Sequence, residues 1–374
     1  MINSEPAVTD TAQAPRCLLS ARFVKNASTG LSQRYSSRQL ELIKAVRRHL
    51  EEKHYAMVPT YCPCGWQGED IEIAEVERYG LPMRTVVCRG CGTLRFNPYL
   101  DNASQADFYQ RYYQEMYARV ADAQEYFNRQ QQYGLKVLSL VGAWLQPKAS
   151  VLEVGCGAGG GLAVFQKEGF GVAGCEYSEE LIAFGRAQGI PSLYSGPLEA
   201  IPRGIVRPAL IYLHHVFEHL DDPRGFLTRA REYLQVEGRI IIAVPDVSRI
   251  HEFNYPGGDL LPFLHIGHKH NFTRAGLERL GRRAGLQSRF PEPDPKLKTS
   301  FSHAPELWAE FFSGDGSRSE NASEAVLGEE MLEYLRQTEA AYQQGKLKGR
   351  SAKNGLARRL KATLKQFAPG WKRK

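Results

Sequence analysis

The chain has 374 residues, 43% hydrophobic and 24% charged, the make-up of a folded globular protein with room for one large domain or two ordinary ones. No stretch approaches the ~20 apolar residues of a membrane span, and Met1 to Pro15 lacks the basic start and apolar core of a secretory signal. The net charge of +7 belongs to the tail: residues 346–374 hold eleven Lys/Arg and no Asp/Glu, which leaves 37 basic against 41 acidic residues upstream, a body of about −4. A body of that sign argues against a nucleic-acid surface. Seven cysteines, four of them in two close pairs, fit a reducing, cytoplasmic compartment and a metal site better than disulfides.

In chain order, residues 1–35 are polar and unpatterned and are expected to be disordered. From Ser36 to His54 the apolar positions Leu40, Ile43, Val46 and Leu50 recur at helical steps. Two cysteine pairs follow, Cys62-Pro63-Cys64-Gly65 and Cys88-Arg89-Gly90-Cys91-Gly92. Each pair is followed by a glycine that lets the backbone curl under the sulfurs, as in the two knuckles of a four-thiolate zinc ribbon, and such an ion would be structural. The first pair, C-x-C, is one residue shorter than the usual knuckle. A zinc-binding module over 36–105 is therefore expected.

An aromatic-rich helical pattern, Asp107 to Leu145, leads into the core. Strands are expected at Val151–Val154, Val172–Cys175, Ser192–Tyr194, Leu210–Leu213 and Gly238–Pro245. Helices are expected at Gly159–Lys167, Ser178–Gln188, Pro223–Leu234 and Thr273–Ala284. Strands alternating with helices predict a doubly wound, mostly parallel α/β sheet of Rossmann-like type over 106–290, with ligands beyond the carboxyl ends of its strands. Residues 246–270 read as an irregular loop over that edge. Leu307–Phe312 and Glu329–Tyr342 read as a helical extension within 291–345, joined by a linker over 313–323, and no closing hairpin for the sheet is evident.

The first strand ends in Gly155-Cys156-Gly157-Ala158-Gly159-Gly160-Gly161, a glycine turn that opens a helix. Such a turn takes positive φ and admits a ligand to the backbone. Glu176 ends the second strand, where a carboxylate can hold the two hydroxyls of a ribose. Gly155, Gly157 and Gly160 also satisfy G-x-G-x-x-G, so a nicotinamide or flavin enzyme has to be weighed. Glu153 before the turn and the run His214 to Pro223 after the fourth strand decide against it. VLEVGCGAGG, GCEYS, HHVFEHLDDP and GRIIIAVPD resemble, in order and spacing, the motifs of class I S-adenosylmethionine-dependent methyltransferases over 151–284. More loosely, the cysteine pairs with RYGLPMRTVVCRGCG look like the N-terminal module of bacterial methyltransferases of sugar and surface-polysaccharide pathways.

The resemblance implies that Glu153, Gly155, Cys156, Gly157, Gly159, Glu176, Tyr177, His214 and His215 form the site of S-adenosylmethionine, with Gly155, Gly157 and Gly159 against its methionine and ribose. Cys62, Cys64, Cys88 and Cys91 would hold Zn²⁺. One departure is Arg207-Pro208-Ala209, where the fourth strand of this family usually opens with an aspartate.

Seven of the ten histidines lie between His214 and His270. Imidazole serves both as a base near neutral pH and as a metal ligand, so two mechanisms are open. In one, His268 or His270 takes a proton from a sugar hydroxyl or carbon. In the other, His215, Glu218, His219 and His268 hold a second divalent ion that orients the acceptor. The latter set resembles metal-assisted 2′-O-methyltransferases of small RNA and quinone-pathway O-methyltransferases, which carry a carboxylate where His215 stands. The expected acceptor is a carbohydrate, a sugar nucleotide or a surface-polysaccharide sugar. A small-RNA ribose or a quinone-like phenol is the alternative, and a binding protein without turnover a further one. Leu356, Leu360, Leu364 and Phe367 share one helical face among basic residues, which predicts a peripheral membrane contact for the tail.

Overall fold

The computed structural model describes residues 16–25, 35–117, 122–202, 207–252, 258–297, 305–314 and 327–345. The N-terminal module begins with helix α1 (Ser37–Glu51), opened by Ser36 in a reciprocal capping box with Gln39. Strands β1 (Asp70–Ala74), β2 (Thr85–Cys88) and β3 (Leu94–Phe96) then form an antiparallel sheet. Helix α2 (Asn102–Phe108) runs on into a π-helical turn, Tyr109–Tyr113. Helix α3 (Ala123–Val141) leads into the α/β body.

That body contains β4 (Ser150–Val154), α4 (Gly160–Lys167), β5 (Gly171–Glu176), α5 (Glu179–Ala187), β6 (Leu193–Ser195), β7 (Leu210–His214), α6 (Pro223–Tyr233) and β8 (Arg239–Pro245). It is followed by β9 (His270–Asn271), α7 (Arg274–Arg283), β10 (Gln287–Arg289) and β11 (Glu306–Phe312). Strands β8, β7, β4, β5 and β6 lie side by side and parallel. Their runs are apolar without alternation because both faces are covered. Leu152, Val154, Ile211, Leu213, Ile240 and Ile242 point to α6 and α7 on one face. Val151, Leu210, Tyr212 and Ile241 point to α3, α4 and α5 on the other. The doubly wound α/β architecture expected from the alternation is what the chain forms.

Three expectations need correction. Leu307–Phe312 is not helical: it lies in β11, antiparallel to β8 from Arg239↔Phe312 to Pro245↔Glu306, and β10 completes a closing hairpin beside it. The fully buried Glu310 disguised this strand; its carboxylate accepts from Arg239 Nη1 at 2.5 Å and Arg289 Nε at 2.7 Å, a pairing that no local pattern announces. Within 291–345 the helical expectation therefore holds for 327–345 only. The N-terminus is not wholly without structure either. Cys17 N and Leu19 N donate to Glu72 O and Ile73 O along β1, and Phe23 is fully buried. Most of the linker over 313–323 and the whole amphipathic tail over 346–374 lie outside the described residues.

The module and the body share elements. β9 pairs antiparallel with β3, so the α/β body supplies the fourth strand of the module sheet. Thr273 caps α7 by accepting from Gly276 N, while its hydroxyl donates to Cys91 O at 2.6 Å. No helix among the described residues is long and apolar enough to cross a membrane.

Candidate active site

At the carboxyl end of β4 the chain turns with φ of +70°, +52° and +77° at Gly155, Gly157 and Gly159. These are left-handed conformations in which a side chain is strained. A Cβ on Gly157 would lie 2.5 Å from Gln130 Nε2 and 2.8 Å from the Tyr126 ring, so α3 lies directly over the turn. Gln130 clasps it: its Nε2 donates to Cys156 O at 2.8 Å and its Oε1 accepts from Ala158 N at 3.0 Å. Tyr126 belongs to the aromatic-rich segment marked by sequence, but Gln130 was not singled out, because nothing local in an amphipathic helix marks a residue that reaches another segment.

Glu176 sits beside the turn and accepts from Gly157 N at 3.1 Å, Tyr177 N at 2.7 Å and Ser178 N at 3.0 Å. Its carboxylate is thereby fixed at the end of β5, next to the largely exposed Tyr177 ring. Two other predicted residues lie deeper. The Cys156 side chain is fully buried under β5, leaving only its backbone at the turn. Glu153 is turned beneath Gly161 and accepts from Tyr212 Oη at 2.7 Å; burial pushes its carboxyl up to about 8. Glu153 therefore supports the turn from below and does not line the open edge.

The imidazoles gather at the end of β7. His214 closes the strand, and His215 turns away with φ of +53°, unusual for a residue with a side chain. The two ring Nε2 atoms lie 3.0 and 3.3 Å from the same oxygen, Glu306 Oε1 at the start of β11. Lys136 Nζ from α3 is 2.7 Å from the other oxygen, and Tyr133 packs on the His214 ring with centroids 3.7 Å apart. Burial and the neighbouring His215 hold His214 down at about 4. For His215, burial opposes the charge, but the hydrogen bonds to Glu218 and Glu306 outweigh it and push the ring up to about 10.

A second cluster adjoins the first. Glu218 Oε1 is 3.3 Å from His215 Nδ1 and 3.6 Å from His268 Nε2. Glu218, His219 and His268 each offer a ligand atom within 4.8 Å of the others. The Glu218 side chain is 0% exposed; its Oε1 is paired with His215, while its Oε2 has no hydrogen-bond partner among the described residues. His219 Nδ1 lies 2.5 Å from Gly267 O, which fixes the proton there and leaves Nε2 as the unprotonated nitrogen. His265 packs on His268 with ring centroids 3.6 Å apart. Tyr109, Tyr113 and Tyr117, four residues apart, form a half-buried aromatic wall beside these rings.

His215, Glu218, His219 and His268, the set that the resemblance implied, thus lie together. His270 does not join them. It is a ladder residue of β9 opposite Arg95, its ring stacked on Phe272, whereas His268 lies in the loop before that strand.

In the module, Cys62, Cys64, Cys88 and Cys91 are buried and unbridged. Their sulfurs stand 3.6 Å (Cys62–Cys91) and 3.7 Å (Cys64–Cys88) apart. Four thiolates about 2.3 Å from a tetrahedral zinc would be separated by about 3.8 Å, so the donor set fits that ion. The short first knuckle closes with Gly65 N donating to Cys62 O, and the second with Gly92 N donating to Cys88 O; both glycines have positive φ.

Residues 122–289 match the family model described as a methyltransferase domain, so the α/β body is that of an enzyme of methyl transfer. No curated protein sequence matches the chain. Among solved structures it is similar to the plantazolicin methyltransferase in complex with SAH, at 16% identity and a TM-score of 0.43, covering 56% of this chain and 94% of that one. It is also similar to the magnesium protoporphyrin IX methyltransferase of Synechocystis with bound SAH, at 12% identity and a TM-score of 0.41, covering 57% of this chain and 100% of that one.

Proposed function

We propose that this methyltransferase moves the methyl group of S-adenosylmethionine to a hydroxyl of a carbohydrate acceptor, with the cluster around Glu218 activating that hydroxyl. On this reading Gly155, Gly157 and Gly159 meet the methionine and ribose, Glu176 accepts from the ribose hydroxyls, and Tyr177 lies against the adenine. His214 and His215 then stand at the methyl end. Transfer is an in-line displacement, so the protein's task is to position the acceptor and ease the loss of its proton.

The observation that carries the reading is Glu218: a fully buried carboxylate facing three imidazoles, its Oε1 paired with His215 Nδ1 and its Oε2 without a hydrogen-bond partner among the described residues. A buried charge of this kind is costly unless a cation or proton donor satisfies it. Glu218, His219 and His268, with Nδ1 of His215, would hold a divalent ion. Three imidazoles and one carboxylate suit zinc, iron or cobalt better than magnesium. Once bound, such an ion lowers the pKa of a coordinated hydroxyl. The tyrosine wall supports a sugar, since aromatic faces pack on apolar ring faces while their hydroxyls meet polar edges. The four cysteines would carry a separate, structural Zn²⁺.

Methyl transfer from labelled S-adenosylmethionine to sugar nucleotides, a catechol and a short RNA tests the proposal. Sugar labelling is expected, lost with Glu218→Gln while S-adenosylhomocysteine still binds; undiminished transfer by that variant would overturn it. A metal-free reading rests on His268, whose buried Nδ1 has no partner among the described residues and could take the proton itself. Transfer that resists removal of every cation outside the cysteine site would favour it.

A further inference from the structure

We infer that Arg78 anchors an anionic group of the methyl acceptor, a carboxylate or a phosphate, at one end of the tyrosine wall, while the reacting hydroxyl lies at the other end beside Glu218. The inference deepens the proposed function and rests on its reading of that wall as a sugar platform. It comes from a guanidinium that has no acid to pair with.

Arg78 stands in the turn after β1, where Gly80 takes a φ of +72°. The turn is stapled to the loop that carries His265 and His268: Arg78 N donates to Leu264 O at 2.7 Å, and Glu77 Oε2 accepts from Ile266 N at 3.3 Å. The guanidinium is half-buried and lies against two rings, 4.7 Å from the centroid of Tyr79 and 4.9 Å from that of Tyr117. Its Nη2 donates to Tyr79 Oη at 2.6 Å and its Nη1 to Pro262 O at 3.2 Å. Among the described residues, its buried Nε has no hydrogen-bond partner and no carboxylate comes within 4.0 Å of the group. The adjacent Glu77 is taken up otherwise: its Oε1 accepts from Tyr79 N at 2.6 Å and Leu81 N at 3.2 Å, and burial pushes its carboxyl up to about 7. Cations withdrawn from water are normally paired. The planar fork of an arginine matches a carboxylate or a phosphate, which it can meet with two parallel hydrogen bonds.

Position ties that anion to the acceptor. Tyr109 Oη lies 2.9 Å from Nδ1 of His219, and the rings of Tyr109, Tyr113 and Tyr117 follow one another with centroids 4.7 and 5.1 Å apart. The wall thus runs from the Glu218 cluster to Arg78. At its Arg78 end Tyr117 packs on His265, 4.8 Å between centroids, and the buried Nδ1 of His265 has no partner among the described residues. A sugar laid along the wall with its acid on Arg78 turns a hydroxyl toward Glu218. The acceptor is therefore an acidic sugar or a sugar phosphate, and not a neutral one.

Calorimetric titration of the full chain with S-adenosylhomocysteine bound tests this, with glucose, glucuronate, glucose 1-phosphate and inorganic phosphate as probes. The wild type is expected to bind glucuronate or glucose 1-phosphate at least about tenfold more tightly than glucose, and the probe that gains tells carboxylate from phosphate. Arg78→Met should weaken that probe about 10–100-fold, the range of hydrogen bonds to a charged group, and leave glucose and S-adenosylhomocysteine binding as they were. Arg78→Lys, which keeps the charge without the fork, should fall between. A loss confined to charged probes sets an anchor apart from an arginine that only supports the fold. In transfer from labelled S-adenosylmethionine, the wild type should prefer the charged sugar to glucose and Arg78→Met should lose that preference. Charged probes no tighter than glucose on the wild type, equal affinity in Arg78→Met, or a preference that survives in that variant each overturn the inference. Arg78-dependent binding of inorganic phosphate, with no gain from an attached sugar and no sugar methylated, keeps the anion anchor and removes the sugar reading of the proposed function.

Discussion

Glu153 shows at the scale of one residue how a motif position can support the turn from beneath it. Its carboxyl is buried against Tyr212 and pushed up to about 8. A carboxyl raised above its unfolded value binds a proton more tightly in the folded state, so its contribution to stability is present at low pH and is lost as pH rises from about 4.5 to about 8. Wild-type stability should fall across that window by an amount on the order of a few kcal/mol. Glu153→Gln, which keeps the acceptor for Tyr212, should flatten the slope and be the more stable protein at pH 8.5. Urea unfolding between pH 5 and 8.5 measures this, and parallel curves for the two proteins would contradict it. The residue scale is also where sequence reading divides. His215, Glu218, His219 and His268 were legible because three of them lie within five positions of one another. Gln130, Lys136 and Glu306 were not, because each reaches the site from an element whose own pattern records only which face is buried.

Among the elements, α3 and β11 carry the most weight for the site. A Cβ on Gly134 of α3 would lie 2.6 Å from Gly161 O of α4, so the two helices touch through glycines. That contact sets Gln130 over the turn. Gly134→Leu should force α3 away, costing about 1–3 kcal/mol of stability as overpacking does. It should also weaken S-adenosylhomocysteine binding by more than about tenfold, that is, by more than about 1.4 kcal/mol. Calorimetry checks this, and unchanged affinity would show that the clasp is dispensable. Strand β11 brings Glu306 to the carboxyl edge of the sheet. The parallel strands were readable because a run buried on both faces is continuously apolar. β11 was misread because a central antiparallel strand interrupted by a charged residue offers neither alternation nor an apolar run, and its glutamate is satisfied only by arginines 21 and 71 residues away.

Over the whole molecule, the cysteine module and the catalytic body behave as one construction. β9 belongs to the module sheet, and Thr273 ties the cap of α7 to the second knuckle. The fully buried Glu77 accepts from Ile266 N in the loop that carries His265 and His268. If the four cysteines hold zinc, its loss through paired Cys88→Ser and Cys91→Ser should therefore lower Tm of the whole protein and weaken methyl transfer, although none of these four lies near the proposed chemistry. A thermal scan with a catalytic domain melting unchanged would contradict this coupling. Sequence reading found both parts and their order. It could not find their joint, because strand pairing between β3 and β9 links residues far apart in the chain through backbone groups alone.

The central claim is that Glu218 and its imidazoles form a cation-dependent activating site. Elemental analysis of purified wild type and Glu218→Gln, after exposure to Co²⁺ and removal of free metal, tests it without knowledge of the acceptor. The account predicts zinc in both proteins and cobalt in the wild type only. Equal cobalt in the two, or none in either, would contradict it.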